Sequence, residues 1–525
     1  MLADLIYSLV LVFSPVFTEM ASKGKMGYKC RIASVLLLLL TSIAALIAVT
    51  VIQSKWRLSQ PILQYGIVID SGSSRSNIYV YKWPGDKQNE TGVVTEKSNC
   101  RVPGDGISAM GIDPNKDKES WEGFKKCMTN VSAEIPPEKH NSTSLFLGAT
   151  AGMRLLQEQD PQRAAEVLES LRKYLQSLPF DFKNASIITG QEEGLYGWIT
   201  VNYLLGNFLE KNTWNTYIRP HGSKTMGSMD LGGASTQIAF AAEDELMGPD
   251  YMHIKLYGYN YNVYTHSFLC YGKNEAEKKI LDKIVQGSSN HVNITNPCYP
   301  VDYEVTYNAS TIYDTECTKK PKNYNPDKQY HMVGVGDSNQ CQRVVESLFD
   351  FSPCYPAPCS FNKVEQPPVT GEFSAYAGYF FIARALLMNN DTYDVRPSEY
   401  DEFYNKTNQL CSTPWSELRK EKHWIGIKHL RTYCFASHYI FTLMAKGYKF
   451  DRDTWRNIHF INKVKNTSVG WSLGYMLSSS NMIPSEMEEV PPLTNPVFAG
   501  LVFLFSALTI VTVIFIFIIL IRMCY

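Results

Sequence analysis

Residues 65–81 read YGIVIDSGSSRSNIYVY. Ile67, Val68 and Ile69 run into Asp70, the small residues Ser71, Gly72, Ser73 and Ser74 follow, and apolar alternation resumes at Ile78 and Val80. The flanks read as two strands and the small residues as the turn between them. The pattern returns at residues 227–240, GSMDLGGASTQIAF, where Asp230 stands where Asp70 stood, 160 residues later. Small residues let backbone N–H groups approach an anion, and Ser and Thr hydroxyls add donors. An aspartate at a strand end can hold a hydrated divalent cation that phosphate oxygens also touch. Two such turns, one from each of two lobes, would clamp a phosphate chain. Either turn alone is equally an ordinary hairpin with Asp and Gly at its tip. The repeat of the aspartate before the glycines favours the clamp. Neither turn is a Walker sequence or a dinucleotide fingerprint, because the Lys and the GxGxxG spacing are missing.

Two more stretches carry chemistry. LFLGATAGMRLL (145–156) is a strand running into a small-residue loop that holds Thr150. IITGQEEGLYGW (187–198) ends a strand at Gly190 and sets Glu192 and Glu193 before a helix. A carboxylate facing a phosphate can orient and deprotonate water. Acids at this place also simply suit a helix N-terminus, which is the reading for Glu192.

The chain has 525 residues and a net charge of −1, which calls for several domains and gives no electrostatic case for nucleic-acid binding. Residues 33–52 and 497–521 are uncharged and long enough to span a bilayer, at about 1.5 Å per residue against a core of roughly 30 Å. Lys23, Lys25, Lys29 and Arg31 before the first span and Arg522 after the second place both termini in the cytoplasm, against a weaker opposing signal from Lys55 and Arg57. The N-terminus is then 1–32, with no role given to its apolar start 1–19, and the C-terminal tail 522–525. Ten of the twelve cysteines lie between the spans, an even number that suits disulfides outside the cytosol. Cys30 and Cys524, at the cytosolic face, offer weak palmitoylation sites. Asn-x-Ser/Thr sequons at Asn89, Asn130, Asn141, Asn184, Asn293, Asn308, Asn390, Asn405 and Asn466 all fall in the same segment. Strand and helix patterns alternate there, an α/β signature. SIIT (186–189) reads as a strand, Asp160-Pro161 opens a helix, and 433–448 reads as a helix ended by Gly447. Residues 266–360 read as a loop-rich insertion stapled by cysteines.

At IVIDSGSSRSNIYVY, GATAGMRLL, ITGQEEGLYGWITVNYLLG, DLGGASTQIAF and WSLGYML (471–477), the chain resembles the ectonucleoside triphosphate diphosphohydrolases of the apyrase superfamily. The five motifs stand in family order, and GNFLEKNTW, YGKNEAEKK and NPCYPVDY resemble the third cell-surface type. The resemblance implies two ribonuclease-H-like lobes of the actin/hexokinase/heat-shock-ATPase type, lobe one from 61–189 with 462–490 and lobe two from 190–461. It implies stepwise hydrolysis of extracellular ATP, ADP, UTP and UDP to monophosphates with Ca²⁺ or Mg²⁺, hence a role in purinergic signalling, at the plasma membrane and as a homo-oligomer. Carried over by residue, Glu193 is the general base, and Ser235 and Gln237 hold the attacking water. Ser71, Gly72, Ser73, Ser74, Arg75, Gly232, Gly233, Ala234 and Thr236 line the phosphate loops. Asp70, Asp230, Thr150 and Trp471 shape the metal site, mostly through water, and Phe381 and Tyr433 approach the nucleobase. The implied disulfides are Cys100–Cys127, Cys270–Cys317, Cys298–Cys341, Cys354–Cys359 and Cys411–Cys434.

Two positions depart from the family pattern. Ser71 stands where many members carry Ala, and Arg75 where several carry His; a cation there would contact a terminal phosphate and tune the triphosphate-to-diphosphate preference. Three other readings compete. A phosphotransferase on the same fold would need an acceptor pocket and an acceptor-activating Asp, for which no motif is visible. A glycosylated receptor keeping the fold without hydrolysis would be favoured by loss of Glu193 or of an aspartate, and all are present. A lumenal diphosphatase would have fewer spans and cysteines.

Overall fold

A computed structural model of the chain describes residues 28–58, 63–113, 116–213, 216–222, 224–242, 248–288, 293–355, 358–387, 398–483 and 493–524. The opening stretch forms two strands, β1 (Leu63–Ser71) and β2 (Ser76–Pro84), paired antiparallel with Ile67 opposite Val80. β3 (Thr95–Arg101) follows on the outside of β2. Beyond helix α1 (Lys118–Ala133), β4 (Ser144–Ala149) lies parallel to β1. Helices α2 (Ala151–Gln159) and α3 (Pro161–Gln176) lead to β5 (Asp181–Ile187), parallel to β4, so the sheet order is β3-β2-β1-β4-β5. Ile67, Val68 and Ile69 are fully buried, as befits a central strand covered on both faces. Asp160 caps α3 by accepting from the Arg163 amide at 2.9 Å, with Pro161 at the first helical position. The strand expected at 186–189 is β5, which stops at Ile187, because Thr189 is the cap of α4 (Gly190–Leu205).

A second sheet repeats the first. β6 (Gly227–Leu231) and β7 (Ser235–Ala241) are antiparallel, and the hairpin β8 (Tyr251–Leu256) and β9 (Tyr259–Leu269) adds outside β7. Helix α5 (Lys273–Gly287) and strands β10 (Asn293–Asn296), β11 (Glu304–Asn308) and β12 (Gln329–Gly334) form a subdomain with its own three-stranded sheet, ordered β10-β12-β11. This is the insertion expected to be loop-rich at 266–360. It begins after Leu269, which belongs to β9, and it holds regular structure. Its helix was masked by charge: α5 buries Ala276, Ile280, Leu281, Ile284 and Val285 at helical spacing inside KNEAEKKILDKIVQG. The chain returns through β13 (Phe373–Ala377), α6 (Gly378–Leu387), α7 (Tyr433–Thr442, extended by a π-turn over Leu443–Gly447), β14 (Ile458–Phe460) and α8 (Trp471–Ser480). The second sheet runs β8-β9-β7-β6-β13-β14. Without the edge strand β8 it has the strand order and directions of the first, the doubled ribonuclease-H-like arrangement of the actin-like fold.

Helices α1 and α3 cover one face of the first sheet, with Trp121, Phe124, Leu168 and Leu171 on Ile67, Ile69, Ile78 and Val80. Helices α5, α6 and α7 back the second sheet at Met229, Leu231, Ile238 and Phe240. Between the sheets lie α4 and α8, whose Leu195, Trp198, Leu473 and Met476 meet Val68 and Phe146 on one side and Ala239 and Val263 on the other. The two helices cross closely because Gly474 has no side chain: a Cβ there would sit 2.0 Å from the Tyr196 carbonyl oxygen. All five cysteine pairs named above are bonded, with Cα–Cα distances of 4.7–6.2 Å. Eight of the sequon asparagines are exposed, and Asn390 lies outside the described residues, as does 1–19.

Residues Ile62–Asn212 with Tyr217–Glu486 make one compact unit. A second unit holds helices Tyr28–Leu58 and Asn495–Cys524. Ile32–Ser54 and Asn495–Ile521 have mean hydropathies of 2.9 and 3.0, and are long and apolar enough to cross a membrane. The helices run past both expected spans, 33–52 and 497–521. They share a hydroxyl contact of 3.0 Å between Ser42 and Thr509. The side chains of Cys30 and Cys524 lie outside the described residues.

Candidate active site

The two hairpins are geometric copies. In the first, Asp70 pairs with Asn77 and the Gly72 amide donates to the Arg75 carbonyl at 2.9 Å. In the second, Asp230 pairs with Gln237 and the Gly232 amide donates to the Ser235 carbonyl at 3.0 Å. Each aspartate therefore stands at the carboxyl end of a central strand, where open α/β sheets bind ligands. The tips face each other: a Cβ on Gly233 would lie 2.5 Å from Ser73 Oγ. The carbonyls of Gly232 and Gly233 accept from the Lys273 and Asn274 amides at 2.9 Å, which pins the second turn to the start of α5. Among the described residues, the amides of Ser73, Ser74, Gly233 and Ala234 make no hydrogen bond, which leaves them as donors at the cleft.

Asp70 and Asp230 carry unbalanced charge. Burial pushes the Asp70 carboxyl up to about 7; the Trp471 hydrogen bond opposes this, the nearby Glu193 charge adds to it, and Arg75 lowers it. Asp230 is raised well above the ordinary range by burial, then by Glu193 and Asp70. Two buried carboxylates, both raised by burial and by the Glu193 charge, form a donor set that suits a hard divalent cation. No group of three or more His, Cys, Asp or Glu side chains among the described residues could hold a metal alone. A cation here would complete its shell with water and substrate phosphate, the habit of Mg²⁺ at phosphate sites.

Trp471 and three loop residues make further contacts around the two turns. The Trp471 indole N–H donates to Asp70 Oδ1 at 2.9 Å. An indole is a donor only, so Trp471 orients the aspartate and is no metal ligand. Gly148 makes room for its ring, which a Cβ there would meet at 2.3 Å. Ser71 is fully buried and bonds Ser76 Oγ at 2.9 Å, away from the phosphate side. Thr236 is likewise buried, with its hydroxyl on the Asp230 carbonyl at 2.7 Å and Tyr379 at 3.0 Å. The Thr150 amide donates to the Ser71 carbonyl at 3.0 Å, tying α2 to β1, and its hydroxyl lies 3.4 Å from the same oxygen. Ser74 and Arg75 are exposed, and Ala234 is buried.

Glu193 sits in the first turn of α4. Thr189 and Glu192 close a capping box before it, with the Glu192 amide on Thr189 Oγ1 at 3.1 Å and the Thr189 amide on Glu192 Oε2 at 2.8 Å. Glu192 thus does the helix-terminal work expected of it. Glu193 Oε2 accepts from Gln237 Nε2 at 3.1 Å, and Gln237 Nε2 also reaches Ser235 Oγ at 2.7 Å and Ser267 Oγ at 2.8 Å. The structure therefore brings Glu193, Ser235 and Gln237 together. Burial raises the Glu193 carboxyl and the charge and hydrogen bond of Arg154 lower it. Arg154 was not singled out from the sequence. Its Nη2 lies 2.5 Å from Glu193 Oε2 and 3.3 Å from Ser235 Oγ. The signal was its place inside GATAGMRLL, one helical turn past Thr150. Phe381, on α6, is 39% exposed. Tyr433 is buried in the core at the start of α7, with its hydroxyl pushed up to about 12 by burial against the lowering charge of Arg384.

Two facing small-residue turns with a buried carboxylate near both aspartates are an arrangement suited to phosphoryl chemistry. The comparisons agree with it. Residues 58–492 match the GDA1/CD39 (nucleoside phosphatase) family, and the chain belongs to that family of enzymes. It is 46% identical over 487 residues to human ectonucleoside triphosphate diphosphohydrolase 3, covering 91% of this chain and 90% of the relative. It is 42% identical over 473 residues to mouse ectonucleoside triphosphate diphosphohydrolase 1, with 89% and 90% covered. Among solved structures, nucleoside triphosphate hydrolases from Neospora caninum share the fold at a TM-score of 0.55 and 14% identity, over 84% of this chain and 96% of that one.

Proposed function

We propose that the chain is a cell-surface ectonucleotidase that hydrolyses nucleoside triphosphates and diphosphates stepwise to monophosphates, by direct in-line attack of water and without a phosphoenzyme. The observation that carries this is Glu193 held with Ser235 and Gln237 beside two facing phosphate turns. Glu193 accepts the proton of the attacking water, and Ser235 and Gln237 orient that water; Gln237 Oε1 is buried and has no partner among the described residues, which leaves it an unused acceptor. The free amides of Ser73, Ser74, Gly233 and Ala234 hold the phosphoryl oxygens as charge develops on them. Ca²⁺ or Mg²⁺, held by Asp70 and Asp230 through water, would supply charge neutralisation on the phosphate chain when bound. The related enzymes' names, the two apolar helices and the eight exposed sequon asparagines support the substrate class and a placement of 54–496 outside the cell.

The test is a time course of ATP, ADP and AMP in the medium of intact cells expressing the chain, with Ca²⁺ or Mg²⁺. AMP should accumulate with the wild-type chain, and Glu193→Gln should lose activity by about 10²–10⁴-fold while still binding nucleotide. Near-normal turnover by the variant at equal surface protein would sink the assignment of the base.

A further inference from the structure

The buried Arg154–Glu193 pair has no place in the mechanism just given. Arg154 lies on α2, in the connection that follows β4 of the first sheet. Its side chain is 14% exposed and that of Glu193 10%. It crosses to residues beside the second sheet, Glu193 on α4 and Ser235 at the start of β7. The passage is kept open by Gly190, where a Cβ would lie 2.8 Å from Arg154 Nη1. Arg154 Nε is buried and has no partner among the described residues, so the guanidinium is not saturated by the contacts it makes.

The two donors that meet Glu193 share one oxygen. Arg154 Nη2 at 2.5 Å and Gln237 Nε2 at 3.1 Å both end on Oε2, and neither ends on Oε1. A carboxylate oxygen taking two N–H bonds, one of them charge-assisted, has lone pairs already engaged. The other oxygen is then the better acceptor for a proton. The guanidinium is always charged, so its attraction for the ionised base does not vary with pH. The remaining charges that face Glu193 are those of Asp70 at the end of β1 and Asp230 at the end of β6, both of the same sign as the base. Arg154 is the cation that offsets them at Glu193.

Resting on the reading of Glu193 as the general base, we propose that Arg154 is a positioning residue for it: by holding Oε2, it fixes the plane of the carboxylate and assigns Oε1 as the oxygen that takes the proton from water. A simple tie between the two sheets would use the same contact, but it would not act through Glu193.

The experiment uses the full chain in membranes at matched surface amounts, with ATP and Mg²⁺. It compares wild type, Arg154→Gln, Arg154→Lys, Glu193→Gln and the double variant Glu193→Gln/Arg154→Gln across pH. Arg154→Gln is expected to lower kcat on the order of 10- to 100-fold, part of the 10²–10⁴-fold that a general base contributes, with KM little changed. The acid limb of its kcat profile should move to higher pH, Arg154→Lys should fall between it and wild type, and Arg154→Gln should add no loss to Glu193→Gln. The same fold loss in both backgrounds, a rise in KM with kcat intact, or an unmoved acid limb would overturn the proposal. Should Arg154→Gln fail to reach the surface, Arg154→Lys decides: an intermediate kcat with a shifted limb supports the role, and wild-type kcat and limb overturn it. Failure of the base assignment is read separately, from turnover of Glu193→Gln alone.

Discussion

The Asp70 and Asp230 hairpins have the same register and the same closing hydrogen bond, yet they are supported in opposite ways. The first has an exposed tip at Ser74 and Arg75, and its aspartate is oriented from outside the hairpin by Trp471. The second is buried from Ala234 to Gln237, and its own strand carries Ser235 and Gln237 to Glu193. One turn is exposed at its tip, and the other is buried and carries the hydrogen-bond partners of Glu193. A doubled fold thus delivers two similar turns, and in the function proposed above the proton chemistry would fall beside only one of them.

The sharpest way to break that comparison is to remove each aspartate. Asp70→Ala and Asp230→Ala should each lower kcat/KM for ATP by on the order of 10²–10³-fold, since a charge clamp on a phosphoryl group is worth several kcal/mol. Trp471→Phe keeps the ring packing against Gly148 but removes the indole donor, and should cost about 10- to 100-fold, the usual scale for a residue that orients a ligand. Initial rates at several Mg²⁺ concentrations separate the cases. The Trp471 loss should shrink as Mg²⁺ rises, and the Asp230 loss should not. A Trp471→Phe enzyme with wild-type rates would show that Asp70 needs no external orientation.

Much of this was legible in the sequence. The strand–Asp–small-residue pattern, repeated, announced two matching hairpins, because apolar strands broken by a run of small residues turn back on themselves. Glu193 was separable from Glu192 only through resemblance, because both suit a helix start and the capping box that occupies Glu192 depends on side-chain direction. Ser71 and Thr236 were placed on the phosphate side although strand alternation argues against it: Asp70 and Ser71 are adjacent, as are Thr236 and Gln237, so they point to opposite faces. That correction was available from period alone. Arg154 was not, since its partner lies 39 residues away and only the tertiary fold brings the two side chains together.

A smaller effect tests the facing of the tips. Gly233→Ala would drive a Cβ to 2.5 Å from Ser73 Oγ and 3.0 Å from Asn274 Nδ2, whereas Gly72→Ala would meet only the Arg75 carbonyl, at 3.3 Å. Gly233→Ala should raise KM for ATP and lower kcat/KM by about tenfold, short of the roughly 10²-fold that a 1 Å misplacement can cost, and Gly72→Ala should change either much less. Equal effects on steady-state kinetics would mean that the turns do not bear on each other in the working enzyme.

The smallest effect on turnover, and a separate one on stability, concerns what backs the second hairpin. Behind Thr236 lie Tyr379 and Tyr448, and farther along α7 the buried His438 sits between Ser338 Oγ at 2.8 Å and Gln342 Oε1 at 2.7 Å. Burial lowers this imidazole from 6.5 to about 4, against the raising charge of Glu346. The folded state therefore binds fewer protons than the unfolded state between those pH values, so stability falls as pH falls through that window, by up to about 3 kcal/mol for a shift of this size. The first sheet rests on the apolar faces of α1 and α3, and among the described residues no histidine is buried there. Acid should thus act on the second half through His438. Thermal unfolding of the detergent-solubilised protein from pH 7 to pH 4 is expected to show a falling Tm that His438→Gln flattens, with ATP turnover at neutral pH unchanged. An equally steep fall in the variant would place the acid-sensitive element elsewhere and remove this asymmetry between the two halves.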